Sequence, residues 1–306
     1  MTPTLWFVVI LYVAASGGVF AITFSRRYRT RRVMRFARSV GLTLPTELER
    51  TVGARLIRRQ RGGAIGWLIG TLAMAGVVWS GALPDQGEFT SILFIGTLFC
   101  GMAVGAALTS ALHDPSDDPA VRYARSRSVA LEDYIAPIER NGARTAVGIA
   151  VALLLVESAL RISGLPLPLA GPIFPLSWLL TALAVLALGF FELVGRRILA
   201  RGRVAGSPDD LAWDDALRSL VVRDLVAAPL ALGLFGVAYG SVGALNAVSG
   251  WLGRDTSLIF VNVGVNVLVI AIAGLALFAI ASEPQRYFLR RLWPEVAAGA
   301  KAVVTP

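Results

Sequence analysis

The sequence has very little of the chemistry on which most enzymes and metalloproteins depend. Among its 306 residues there is one cysteine, Cys100, and one histidine, His113. A single cysteine cannot form an intramolecular disulfide, and two such residues cannot supply the three or four ligands of a zinc site. We therefore expect no metal site, and we expect Cys100, which lies in an apolar run, to act as a small hydrophobic residue.

Charge is also scarce. Charged residues make up 16% of the chain and apolar residues 56%, whereas an ordinary soluble domain carries about 25% charged residues. This composition excludes a disordered chain and a single soluble core. Lys301 is the only lysine among 29 basic residues, a bias typical of a GC-rich bacterial genome. The net charge of +9 fits the cytoplasmic loops of a membrane protein better than nucleic-acid binding.

Long apolar runs dominate the sequence. A membrane-spanning helix needs about 20 mainly apolar residues. Seven runs are long enough, and they cover 4–24, 64–83, 91–112, 145–163, 173–195, 225–247 and 257–282. A transmembrane barrel would show short segments of alternating polarity instead. We therefore predict an all-α fold, a polytopic membrane bundle of seven transmembrane helices.

The basic residues predict how this bundle is oriented, because cytoplasmic loops are enriched in arginine and lysine. They fall in alternate connections, with twelve in 25–63, five in 113–144, six in 196–224 and four in 283–306. The other connections hold only Arg161 and Arg254. This predicts an outer N-terminus and a cytoplasmic C-terminus in a plasma membrane. Since residues 1–4 are uncharged and arginines follow the first run, we expect an uncleaved anchor helix and not a signal peptide.

The chain is expected to form one integral membrane domain with a tandem layout. Residues 1–45 would supply the anchor and a basic juxtamembrane helix, and 283–306 a cytoplasmic tail. Between them, three segments each begin with a polar helix and continue into a hairpin of two spans, namely 46–112, 128–195 and 209–282. Parallel repeats of this kind occur in transporters. Consecutive hairpins share part of this layout even without duplication.

The juxtamembrane segment 25–40 is predicted to be a basic amphipathic helix on the membrane surface. Val33, Phe36 and Val40 share one helical face. The opposite face carries Arg27, Arg31, Arg35 and Arg38. Such clusters beside a span attract anionic lipid headgroups. We therefore predict that these arginines contact the lipid bilayer, and docking of a partner protein is the alternative.

Five polar residues in or near the predicted spans form the candidate intramembrane site: Glu157, Arg161, Glu192, Asn262 and Asn266. Ionisable residues in a span are costly, so they indicate either a structural pair or a site for an ion or proton. Glu157 and Arg161 are four residues apart and able to pair on one helical face. Glu192 is close enough to Arg196 to pair at the membrane boundary. The two asparagines would hydrogen-bond a neighbouring helix or line a polar pathway.

Glycine and proline spacing predicts details of the helices. Small residues four apart let helix backbones approach closely, and they recur at Gly62, Gly66 and Gly70, at Gly101 and Gly105, and at Gly236 and Gly240. Ser207 followed by Pro208 predicts a helix start, since serine caps helices and proline suits the first turn. Pro229 predicts a kink in the sixth span.

The sequence has no G-x-S-x-G, H-E-x-x-H or GxxxxGK[ST] motif. We therefore predict no catalytic centre and no cofactor, and a permease-like protein or a membrane subunit of a transport assembly. Any use of ATP would need a separate ATPase subunit, which the polar helices 46–60, 128–141 and 209–222 would dock. The alternative is a membrane scaffold or envelope-assembly protein that binds partners and anionic lipid. An intramembrane hydrolase and a seven-helix receptor fit less well.

Overall fold

The computed structural model describes residues 3–80, 87–111, 129–162, 173–200, 207–252 and 287–295. Every regular element in these ranges is helical, which confirms the all-α prediction. The helices are α1 (Pro3–Ile22), α2 (Arg26–Val40), α3 (Thr46–Trp79), α4 (Gly87–Ala111), α5 (Pro137–Ile162), α6 (Ile173–Ala200), α7 (Pro208–Leu252) and α8 (Tyr287–Leu292). A 3-10 helix, Leu131–Asp133, precedes α5.

Four of the described helices, α3, α5, α6 and α7, are long and apolar enough to cross a membrane. Helices α1 and α2, with a bend of 86° between them, make a fifth span if they are taken together. The chain is therefore a helical membrane protein. The predicted span 257–282 lies outside the described residues, and the apolar stretch described in α4 is the shorter Cys100–Ser110. The count of seven spans, the orientation and the tandem units stay predictions.

Helices α3 and α7 are much longer than a bilayer is thick. Their 34 and 45 residues correspond to about 51 and 68 Å at 1.5 Å per residue, against a hydrocarbon core of about 30 Å. The polar segments 46–60 and 209–222 are therefore the first turns of the same helices that span. Helix α7 begins at Pro208 as predicted, and the Ser207 hydroxyl accepts from the Asp210 N–H at 3.1 Å.

The polar ends of the helices pack into a layer that we call the helical platform. It comprises α2, residues 46–61 of α3, residues 129–143, residues 208–224 of α7, and α8. Large buried side chains from each part form its core, among them Phe36, Leu56, Tyr134, Trp213 and Phe288. The segment predicted as a tail is thus partly a packed element, because Phe288 and Leu289 of α8 are buried.

Helix α2 has the predicted amphipathic pattern, but its apolar face packs on protein and not on the membrane. Val33 and Val40 are buried, and Val33 lies against Gly53 of α3. The Phe36 ring lies 6.1 Å from the Trp213 ring of α7, measured between centroids. The platform therefore supplies the apolar surface that covers α2, and contact of its arginines with the lipid bilayer stays a prediction.

Helices α3 and α4 pack with almost no side chain between their backbones. A Cβ atom added to Gly66 would overlap the carbonyl oxygen of Gly101, and one added to Gly105 would overlap that of Gly62. One added to Gly70 would also meet α4, at 2.8 Å from a carbonyl oxygen. The glycines predicted to form close-packing faces on the two helices therefore face one another.

Gly66→Ala is expected to destabilise the protein, because the new methyl group has no room beside the Gly101 carbonyl. Over-packing of this kind costs about 1–3 kcal/mol. The control is Gly76→Ala in the same helix, where nothing lies within 4 Å of an added Cβ. Alanine favours helix over glycine, so the control should be neutral or up to about 1 kcal/mol more stable. Thermal unfolding in mild detergent measures both, and equal melting temperatures would contradict the close α3–α4 contact.

Candidate functional site

The first half of α7 carries two polar residues, Asp215 and Ser219, on its buried face. Leu211, Asp215, Ser219 and Val222 follow one another at helical spacing, and all four are buried. A carboxylate among apolar residues must be paired there, because burying an unpaired charge is costly. No motif distinguishes Asp215 in the sequence, although helical spacing places it on the same face as Leu211.

Asp215 is fully buried and binds two aromatic side chains from distant parts of the chain. Its Oδ1 accepts a hydrogen bond from the Tyr134 hydroxyl at 2.6 Å, and its Oδ2 accepts one from the Trp293 indole N–H at 3.0 Å. One turn along α7, the Ser219 hydroxyl donates to the Tyr134 carbonyl oxygen at 3.2 Å. Through this one carboxylate, α7 is joined both to the segment before α5 and to the residue after α8.

A second buried carboxylate, Glu139 at the start of α5, faces Arg223 of α7. The Arg223 Nε and Nη2 atoms both donate to Glu139 Oε1, at 3.1 and 2.6 Å, and the Glu139 side chain is 1% exposed. Among the described residues, the Glu139 Oε2 atom has no hydrogen-bond partner. Removing one member of such a pair is strongly destabilising, even though the pair as a whole stabilises little.

Two further ion pairs join α7 to α3. Arg55 Nη1 lies 2.8 Å from Asp214 Oδ1, and Arg59 pairs with Asp224. Asp214 also pairs with Arg218, four residues along the same helix, at 2.7 Å. The two inter-helix pairs could not be predicted from the sequence, because no local pattern connects residues that lie 159 and 165 positions apart.

Glu192, near the end of α6, lies among three arginines. Arg144 of α5 donates to it through Nε at 3.0 Å and also through Nη2. Arg196 lies 3.5 Å away, as the four-residue spacing predicts, and Arg140 of α5 lies 4.0 Å away. Arg140 also donates to Glu132 at 2.8 Å. Glu192 is therefore part of an ion-pair network at the edge of the platform.

Helix α8 brings a positive charge beside the acidic 3-10 helix. The Arg291 Nε donates to the Tyr287 hydroxyl at 3.4 Å. This hydrogen bond raises the pKa of Arg291, and the negative charges of Asp133 and Glu132 raise it further. Asp133 in turn accepts a hydrogen bond from the Ala130 N–H at 3.0 Å, which closes the 3-10 turn.

Glu157 is a carboxylate within a span, and it faces the interior of the protein. It is 3% exposed and continues the buried face of α5 that includes Val147 and Ala150. That face packs on α7, because a Cβ added to Gly236 would lie 3.0 Å from Ala150 Cβ. The same added Cβ would lie 3.5 Å from Thr181 Oγ1 of α6. Helices α5, α6 and α7 thus converge two helical turns from Glu157.

Hydroxyl groups from two of these helices are buried near the convergence. Ser177 and Thr181 lie on α6 and Tyr239 lies on α7, and all three face protein and not lipid. Together with Glu157 they place a carboxylate and three hydroxyls in the interior of the α5–α6–α7 group. Hydroxyl residues in an apolar run form no distinctive pattern, so the sequence alone does not indicate that these three are buried together.

The other predicted site residues do not join this group in the described structure. Asn262 and Asn266 lie outside the described residues, and so does the side chain of Arg161. The pairing of Arg161 with Glu157 therefore stays a prediction. The four arginines of α2 are exposed on the face opposite its buried residues, and they are Arg27, Arg31, Arg35 and Arg38.

Two arrangements are therefore able to carry function, the polar interior among α5, α6 and α7 and the surface of the helical platform. Comparisons with protein-family models, with curated proteins and with solved structures found no match to this chain. The function is accordingly inferred from the geometry of these residues.

Arg223→Met is expected to destabilise the protein by about 3–5 kcal/mol, because it leaves the Glu139 carboxylate buried without its partner. Adding Glu139→Leu should recover most of the loss, since removing both members of a buried pair is close to neutral. Thermal unfolding in mild detergent compares the single and double variants. Arg196→Met is the control, because that side chain is 74% exposed and its pair is worth less than about 1 kcal/mol. A double variant no more stable than Arg223→Met would contradict the buried pair.

Proposed function

We propose that this protein is the membrane subunit of a transport assembly in a bacterial plasma membrane, with a polar path among α5, α6 and α7. The observation that carries the proposal is the burial of Glu157 on the face of α5 that packs on α7. A charged residue within a span costs roughly 2.5–3.5 kcal/mol on insertion scales. Such residues typically face the bundle interior and mark ion or proton pathways, which is why we assign Glu157 to the path.

The buried hydroxyls support a path because they lie at successive depths. Thr181 is level with Gly236 and Ala150. Moving away from the platform, Ser177 lies one turn further on α6, Tyr239 about one turn further on α7, and Glu157 two turns further on α5. The groups therefore follow one direction through the interior of the three helices. Their oxygen atoms suit a small cation or a proton, which we propose as the substrate class.

The platform supports the docking of a partner. It is a packed surface and not a set of separate loops, and α3 and α7 run from it into the spans without a break. A displacement imposed on the platform would therefore be transmitted to the helices around the polar interior. Since the chain has no ATP-binding motif of its own, we propose that any ATPase of the assembly is a separate subunit, and that this chain is not an enzyme.

A non-transporting scaffold or envelope-assembly protein is the second candidate function. The close packing of α3 on α4 and the exposed arginines of α2 favour it, because both suit a protein that binds partners and lipid without moving a substrate. In that function Glu157 would be a structural group, and its charge would contribute to stability alone.

Glu157→Gln separates the two candidate functions. For a transport subunit, we expect this variant to fail to complement a deletion strain while it keeps the wild-type melting temperature, because glutamine preserves the shape but not the charge. Glu47→Gln, on the exposed first turn of α3, is the control and should complement fully. Full complementation by Glu157→Gln, or loss of function together with loss of stability, would contradict the transport function.

The partner is tested by purification from the native host in mild detergent, with mass spectrometry of the proteins that co-purify. We expect a stoichiometric ATPase. Envelope or division proteins without an ATPase would instead support the scaffold. Recovery of the chain alone would contradict docking and leave only a self-contained, ion-coupled permease as the transport function.

A further inference from the structure

Helix α2 concentrates positive charge on one exposed face. Between Arg26 and Val40 it carries seven arginines and no acidic residue. Its opposite face is buried against α3 and α7, so the helix cannot rotate to cover the charged side. The exposed face, which we call the arginine face, consists of Arg27, Arg31, Arg35 and Arg38.

Seven arginines elsewhere at this end of the bundle are paired with carboxylates of the same chain. They are Arg55, Arg59, Arg140, Arg144, Arg196, Arg218 and Arg223. Within the described ranges, no carboxylate lies within 4 Å of Arg27, Arg31 or Arg35. The charge of these three is therefore available to a partner outside the chain.

The corner between α1 and α2 is fixed by two residues of α3. Arg61 Nε donates to Thr23 Oγ1 at 3.0 Å, and the Arg61 guanidinium lies 4.3 Å from the centre of the Phe24 ring. Gln60 Nε2 donates to the Tyr28 hydroxyl at 2.7 Å. These contacts maintain the 86° bend. If α1 has the usual span tilt of about 20°, α2 lies within about 25° of the membrane plane.

An exposed apolar surface runs along α1 to the beginning of α2. Large apolar side chains are exposed along α1 and just beyond it, at Phe7, Ile10, Leu11, Ile22 and Phe24. Arg27 follows Phe24 by three residues, so the arginine face begins where the lipid-facing surface ends. Basic residues immediately beyond a span lie within reach of the headgroups. This continuity favours lipid over an acidic protein as the partner.

We propose that the arginine face is a binding surface for the headgroups of anionic lipids, such as phosphatidylglycerol, in the leaflet next to the platform. Because the apolar face of α2 is covered by protein, the helix does not insert among acyl chains, and recognition depends on headgroup charge. Binding is therefore sensitive to salt. Since protein packing already orders α2, binding carries no cost of folding the helix.

The test is the binding of phosphatidylglycerol and phosphatidylcholine to the full-length protein in mild detergent, measured by native mass spectrometry over a range of lipid and salt concentrations. The variant is the triple Arg27→Gln/Arg31→Gln/Arg35→Gln. The matched control, Arg50→Gln/Arg197→Gln/Arg290→Gln, removes the same charge from exposed positions outside α2. Melting temperatures of both variants verify that they fold.

Wild type and control are expected to prefer phosphatidylglycerol, with the preference weakening as salt increases. The α2 variant should bind it roughly a hundredfold more weakly, because each arginine near an anionic surface contributes about fivefold. Equal losses in the two triple variants would overturn the proposal, since they would indicate a response to net charge alone. If the wild-type protein did not discriminate between the two lipids, the proposal of a lipid-binding surface would also be overturned. This holds even if an acidic protein co-purified through the same arginines.

Discussion

A charge removed from water must find its partner inside the protein, and this requirement decides how the helical platform is assembled. Asp215 and Glu139 are buried, and each accepts hydrogen bonds from elements that are distant in sequence. Tyr134 and Trp293 supply the donors for Asp215, while Arg223 supplies those for Glu139. All of these contacts involve α7, so the first half of that helix is the common surface on which the other elements are positioned.

The two halves of α3 illustrate how the surrounding medium changes what holds helices together. In the membrane, lipid tails are as apolar as leucine, so association depends on close van der Waals contact, and Gly62 and Gly66 provide it. In the platform, water drives apolar burial, and Val52 and Leu56 of the same helix enter a core of large side chains. The two halves of one continuous helix are therefore stabilised by different kinds of contact.

Features encoded within a few turns of helix could be predicted from the sequence. These include the apolar spans of α3, α5, α6 and α7, the start of α7 at Pro208 and the glycine spacing of the α3–α4 pair. Ion pairs between different helices could not be predicted, because charge alone permits many pairings. Arg144 and Glu192, for example, are 48 residues apart. The spacing of apolar residues likewise indicated an apolar face on α2, but it did not indicate whether protein or lipid covers that face. In the candidate site, a carboxylate in an apolar run was evident, whereas Ser177 and Tyr239 resembled ordinary polar residues of a span.

The position of α8 has a consequence for biosynthesis. The ribosome makes Phe288, Leu289 and Trp293 after every helix that they contact, yet their side chains complete the core around Asp215. While the chain is being made, the 3-10 helix and α7 must therefore persist with part of their surface uncovered and with one donor to Asp215 absent. Truncated chains would keep that surface exposed, and such surfaces promote aggregation. Helix α8 therefore closes the core around Asp215 only after the elements on which it packs have been made.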